Sequence, residues 1–169
     1  MDLDSAQLAL GWAYPPPYAG YNADPSSIEA DIKVWTHPGS YYAVTDRRGE
    51  LVAYACFGDE ARVPGGRYAV DALDFGGGLR PDLTGRGFGI SFFRSVLTFA
   101  DASFAPARYR TTVAEWNLRA TRLCSASGFH VTERFTSEVN GWAFAVHERE
   151  AGQVEASTRQ ETRLTPGCS

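Results

Sequence analysis

The stretch DFGGGLRPDLTGRGFGI, residues 74 to 90, constrains this chain more than any other. Gly76, Gly77 and Gly78 interrupt a run that otherwise reads as a strand, Tyr68 to Arg80. Consecutive glycines weaken a strand and invite a bulge or the close approach of another backbone. Gly85, Gly87 and Gly89 then alternate just before a helical pattern. From Phe88 to Asp101 the apolar residues Phe92, Phe93, Val96, Leu97 and Ala100 recur at helical spacing. A helix start offers unpaired N–H groups and partial positive charge, so this loop is a candidate anion site. The dinucleotide pattern G-x-G-x-x-G fails, because residues 90 and 92 are Ile and Phe. Taken alone, a plain strand-to-helix turn explains the loop about as well as an anion cradle.

The elements around the loop restrict the fold. DSAQLALGW, residues 4 to 12, predicts a short helix capped by Asp4 or Ser5. A rigid aromatic loop, AYPPPYAGYNADP, follows. A second helix begins near Asp24 and Pro25, carries Ile28, Ile32 and Trp35 on one face, and stops at His37-Pro38-Gly39. YYAVTDRRGELVAYACFG predicts a hairpin about Arg47-Arg48-Gly49. Beyond the glycine loop and its helix come a strand at Ala107–Trp116 and a helix from Asn117 that ends before Gly128. A terminal hairpin turns at Asn140-Gly141. Strands that mostly follow one another predict an α/β (α+β) fold: a mixed, mostly antiparallel sheet of about six to seven strands with about four helices on its faces. Residues 1 to 150 read as one domain, with a polar C-terminal extension over 151 to 169.

Several function classes drop out on composition. The formal net charge is −4 and Lys33 is the only lysine, so there is no P-loop G-K-[ST] and no basic run to track nucleic-acid phosphates. Cys56, Cys124 and Cys168 are scattered and form no C-x-x-C pair; His37, His130 and His147 are equally dispersed. Neither a zinc site nor a disulfide framework is expected, and no metal. No apolar stretch is long enough for a bilayer, and the N-terminus does not read as a signal peptide. A cytoplasmic protein is the expectation.

Two segments in order carry a resemblance. RPDLTGRGFGISFF, then one strand, then NLRATRLCSASGF, resembles the GNAT superfamily of acyl-CoA-dependent N-acyltransferases, over roughly Trp12 to Glu150. Gly87 and Gly89 fall on the small positions of its pyrophosphate loop; Asn117, Ala120, Leu123, Gly128 and Phe129 match its second segment in register. Thr84 stands where the family usually carries Gln or Arg, and Cys124 where many members carry the tyrosine proposed to protonate the departing thiolate.

The resemblance implies direct acetyl transfer from acetyl-CoA to a primary amine in a ternary complex, without a metal. It implies cofactor contacts from Leu79, Arg80, Thr84, Gly85, Arg86, Gly87, Phe88, Gly89 and Asn117. Leu79 N–H is the candidate for polarising the thioester carbonyl, at an expected bulge near Gly78, Leu79 and Arg80. Asn117 reads equally well as a helix N-cap. Asp74, ahead of Asp71, is the candidate base; the competing reading is a surface carboxylate that attracts a cationic amine. Cys124 is either the acid or, by default, a small buried apolar residue. Trp12, Tyr14, Tyr18 and Tyr21, with Asp71 and Asp74, are the expected acceptor-site residues. The acceptor class implied by the acidic balance is a small cationic amine, such as an aminoglycoside; amino acids, polyamines and protein N-termini stay open. A non-catalytic acyl-CoA-binding module is the competing class. No nucleic-acid or membrane partner is expected, and the terminal strands are the place for a homodimer contact.

Overall fold

A computed structural model describes residues 1–68 and 71–152. Four α-helices and six strands follow one another as α1 (Leu3–Leu10), α2 (Ile28–Trp35), β1 (Tyr41–Thr45), β2 (Leu51–Phe57), β3 (Leu73–Leu79), α3 (Phe88–Phe104), β4 (Arg108–Ala114), α4 (Leu118–Ala126), β5 (His130–Thr136) and β6 (Ala143–Glu150). The strands form one mixed sheet in the order β1-β2-β3-β4-β6-β5. Every neighbouring pair is antiparallel except β3 and β4, which are parallel. The element order and mixed sheet expected from the sequence are therefore present. Residues 153 to 169, most of the polar extension, lie outside the described residues.

Boundaries moved where side chains found better partners than the pattern suggested. Asp2, not Asp4 or Ser5, caps α1: its Oδ1 accepts Ser5 N–H at 2.7 Å. Asp24 instead closes a turn by accepting Ser26 N–H at 2.9 Å, and α2 starts only at Ile28. β3 begins at Leu73, five residues later than the pattern suggested.

The sheet has two unlike faces. On one, Phe75, Tyr109 and Val113 pack with Ala55 and Phe57 against Phe93, Val96, Leu97 and Ala100 of α3, together with Cys124 and Phe129. Burying these side chains is the main favourable term for the fold, at ~1.5–3 kcal/mol for each large one. On the other, α1 and α2 cover an aromatic surface: the Trp35 ring stacks on Tyr41 at 4.4 Å and lies 4.6 Å from Tyr54. Farther along that face, Asp74 pairs with Arg110 and Arg62.

Candidate active site

β3 and β4 pair only at Leu73↔Tyr109 and Asp74↔Arg110. Beyond that point the strands separate, and a cleft opens towards their C-terminal ends. On its other edge β3 stays zipped to β2 without a register shift, from Phe57↔Phe75 to Ala53↔Leu79. The expected bulge near Gly78–Arg80 is therefore absent. Arg80 N–H donates to Val52 C=O at 2.9 Å, so residue 80 is a hydrogen-bonded partner on β2. Antiparallel ladders alternate. The N–H and C=O of Leu79 and Gly77, beyond the last β3–β4 pair, thus point away from β2, into the cleft. Separation of parallel strands, rather than a bulge, frees the backbone that the sequence pattern anticipated.

Gly78 serves the face opposite α3. A Cβ at Gly78 would lie 2.9 Å from Tyr54 and 3.0 Å from the Tyr14 hydroxyl. Glycine is what allows both rings to lie directly over the strand. Tyr14 Oη then donates to Leu79 C=O at 2.8 Å, and burial pushes its phenol up to about 12.

α3 and α4 both start at the open end of the cleft. The Gly85–Gly89 loop leads into α3 through Gly85 (φ 72°) and Gly87 (φ 88°), a backbone region costly for residues with a Cβ. No side chain caps the first turn of α3, and a Cβ at Gly87 would meet nothing within 4 Å. The loop surface there is open. Thr84 turns its hydroxyl to Pro81 C=O at 2.8 Å. Arg119, from the first turn of α4, donates to Thr84 Oγ1 at 3.3 Å, and a Cβ at Gly85 would sit 3.3 Å from its Nη2. Its guanidinium carbon also lies 4.5 Å from the Tyr18 ring centroid. A long cationic side chain therefore stands at the loop after all, supplied by residue 119 rather than 84. The sequence signal was available inside the NLRA segment, but nothing local says that position 119 reaches position 84. Arg86 is exposed and donates to Asp82 C=O at 3.4 Å. Arg80 is held by Asp82 at 2.7 Å and by Leu51 C=O at 3.2 Å. Phe88 is exposed.

Asn117 is the N-cap of α4, accepting Ala120 N–H at 3.1 Å, and its amide also donates to Tyr21 Oη at 3.1 Å. Tyr21 belongs to the proline-rich loop, which spans the mouth of the cleft: Tyr14 binds the β3 side and Tyr21 the β4–α4 side. The Tyr21 ring lies 4.9 Å from Trp116, and Trp116 lies 5.1 Å from Trp142. Those two tryptophans hold the loop in place and were not among the residues expected at the site.

Two expected catalytic groups are elsewhere engaged. Asp74 is 2 % exposed and lies on the face opposite α3; its carboxylate accepts from Arg110 Nε at 2.5 Å, Arg110 Nη2 at 2.7 Å and Arg62 Nε at 2.7 Å. A carboxylate clamped by two guanidinium groups is a structural ion pair, and neither oxygen is open to an incoming amine. Cys124 is 1 % exposed within the core cluster. Desolvation pushes its thiol up to about 12, and the apolar side chains of the core cluster enclose it. Asp71 is exposed, just ahead of β3, and does not line the aromatic pocket described next.

That pocket, of about 160 Å³, lies between α1, α2, the proline-rich loop and β2, lined by Trp12, Tyr14, Tyr21, Asp31, Trp35 and Tyr54 among others. It joins three of the four aromatic residues expected at the acceptor site and excludes Tyr18, which packs on Arg119. It also brings in Asp31, Trp35 and Tyr54. No cluster that could hold a metal ion occurs among the described residues, and no helix among them is long and apolar enough to cross a membrane.

No family model and no curated protein matches the sequence. Solved structures do match it in shape. A spermidine N-acetyltransferase SpeG chimera from Vibrio cholerae and hSSAT superposes with a TM-score of 0.68 at 14% identity, over 89% of this chain and 92% of that one. The fold is that of the GNAT acetyltransferases. Aminoglycoside acetyltransferase AAC(6')-Ib in complex with coenzyme A matches with a TM-score of 0.67 at 18% identity, over 89% of this chain and 92% of that one. A GNAT-family acetyltransferase from Bacillus anthracis gives 0.67 at 10% identity, over 89% and 91%. At such identities the GNAT likeness concerns the path of the backbone, and the chemistry has to be argued from this chain's own side chains.

Proposed function

We propose that the protein transfers an acetyl group from acetyl-CoA to a primary amine of a small cationic substrate, by direct attack within a ternary complex. The observation that carries this reading is the separation of β3 from β4 beyond Asp74↔Arg110, with the uncapped start of α3 at the same end. Free strand N–H and C=O groups match the amides of an extended pantetheine arm, as an added strand would. The first N–H groups of α3, the open Gly87 loop and the Arg119 guanidinium match a pyrophosphate.

In this arrangement Leu79 N–H donates to the thioester carbonyl oxygen and stabilises the charge that develops there on attack. Tyr14, by holding Leu79 C=O, fixes the orientation of that segment. Asp74 takes no part in proton transfer, and the amine loses its proton to water in the acceptor pocket. The departing sulfur takes its proton from Tyr21 instead of Cys124. The Tyr21 oxygen accepts from the Asn117 amide at 3.1 Å, and burial holds the phenol above its ordinary value, so the group carries its proton at neutral pH.

The sealed positions of Asp74 and Cys124 favour one competing reading, an acyl-CoA-binding module without turnover. Thermal shift with acetyl-CoA, followed by thiol release across an amine panel, separates the two. Stabilisation with thiol release supports the enzyme. Stabilisation without release for any amine supports the binding module. No stabilisation at excess acetyl-CoA refutes both.

A further inference from the structure

The aromatic pocket contains a carboxylate, Asp31, that makes no ion pair among the described residues; the N-terminal ammonium nearby is held by Trp35 C=O at 3.2 Å. Asp31 Oδ2 accepts the Ser27 hydroxyl at 2.7 Å, and no arginine or lysine pairs with Asp31 among the described residues. Its situation contrasts with Asp74 and Glu148, each of which has arginine beside it. Around Asp31 the walls are Trp12, Tyr14, Trp35 and Tyr54, with ring centroids 6.0 Å apart for Trp12 and Tyr54 and 4.6 Å for Trp35 and Tyr54.

An unpaired carboxylate among electron-rich rings repels anions and offers a neutral guest little. It suits an organic ammonium, which gains charge pairing and cation–π attraction together. The pocket also adjoins the reacting end of the cleft: Tyr14 lines it and donates to Leu79 C=O, and Tyr54 lies against Gly78. We propose that this pocket is an ammonium-binding subsite, so that the substrate carries two amino groups. Asp31 and the rings hold the non-reacting ammonium while the second amine reaches Leu79. The two-amine requirement rests on the acetyl-transfer reading; the capture of an ammonium does not.

Calorimetry on the full chain without acetyl-CoA tests the subsite directly, using diaminopentane and its neutral diol counterpart at constant ionic strength. The diamine is expected to bind saturably, about tenfold more tightly than the diol. Asp31→Asn keeps an acceptor for Ser27 and should bring diamine affinity down to the level of the diol; Trp12→Leu should weaken it by a different route. Both variants should retain full thermal stabilisation by coenzyme A, which reports on the cofactor cleft separately. Equal affinity for diamine and diol, or unchanged diamine affinity in Asp31→Asn with normal melting, overturns the subsite. Diamine binding without thiol release from acetyl-CoA leaves the subsite standing and refutes the acetyl-transfer reading. If thiol is released, an Asp31→Asn variant with unchanged KM for the diamine refutes the subsite instead.

Discussion

Replacing Asp74 by Asn tests whether this residue serves chemistry or architecture. The carboxylate accepts three close N–H donors from Arg110 and Arg62, and the Asp74 and Arg110 side chains are 2 % and 1 % exposed. An amide in its place keeps one acceptor oxygen but turns an NH₂ towards at least one guanidinium. Arg110 would stay buried, with Glu148 at 3.8 Å and the Tyr68 ring at 4.9 Å among its neighbours. Breaking a buried pair from one side costs about 3–5 kcal/mol, a large part of the ~5–15 kcal/mol that holds a domain folded. For a chain of this size, each kcal/mol lowers the melting temperature by about 2–4 °C, so the fall should be roughly 6–20 °C. Differential scanning calorimetry reads it, and coenzyme A binding measured well below the new transition should be close to that of the unsubstituted protein. The paired change Asp74→Leu with Arg110→Met removes both charges and should recover most of the loss. An unchanged melting temperature in Asp74→Asn, with abolished amine acetylation, would refute the structural assignment and return Asp74 to the role of base.

Cys124→Ala should leave the rate of thiol release within about twofold of the unsubstituted enzyme while lowering stability by roughly 1 kcal/mol per buried heavy group lost; a hundredfold slower reaction at normal melting would make the thiol the acid. Gly87→Ala puts a Cβ on a backbone at φ 88° with nothing near it, so the cost is conformational, about 1–2 kcal/mol, and should appear as weaker thermal stabilisation by coenzyme A. Thr84→Ala should weaken that stabilisation less, and Arg119→Ala by about tenfold in affinity if it supplies a charge-assisted contact. His147 is buried, and desolvation, then Arg134 and His130, hold its imidazole below the ordinary value. The unfolded chain therefore takes up a proton near pH ~6.5 that the folded chain refuses. Stability should be full above that pH and fall as pH drops through it; replacing His147 by Phe should flatten this slope in melting curves recorded across the range.

Local signals were sufficient for several elements in which the chain acts on itself within a few residues, though not for the cap of α1 or the start of α2. The Asn140-Gly141 turn, the apolar period of α3 and the cap of Asn117 on Ala120 depend on neighbours in sequence, and the pattern of the residues determines them. The strand–loop–helix order, with Gly87 opening α3, was legible for the same reason. What tertiary structure alone decided was which side chains meet. Asp74 precedes the glycines of β3 and looked like a base, yet a residue thirty-six positions away, Arg110, comes alongside in the parallel pair and claims it. Arg119 crosses to Thr84, Tyr14 crosses to Leu79, and Asp31 joins rings drawn from α2, β2 and the proline-rich loop. Such contacts depend on strand register and on the angle at which helices cross the sheet. Neither is written in the periodicity of any one segment, because a period records which face a residue takes and not what stands opposite.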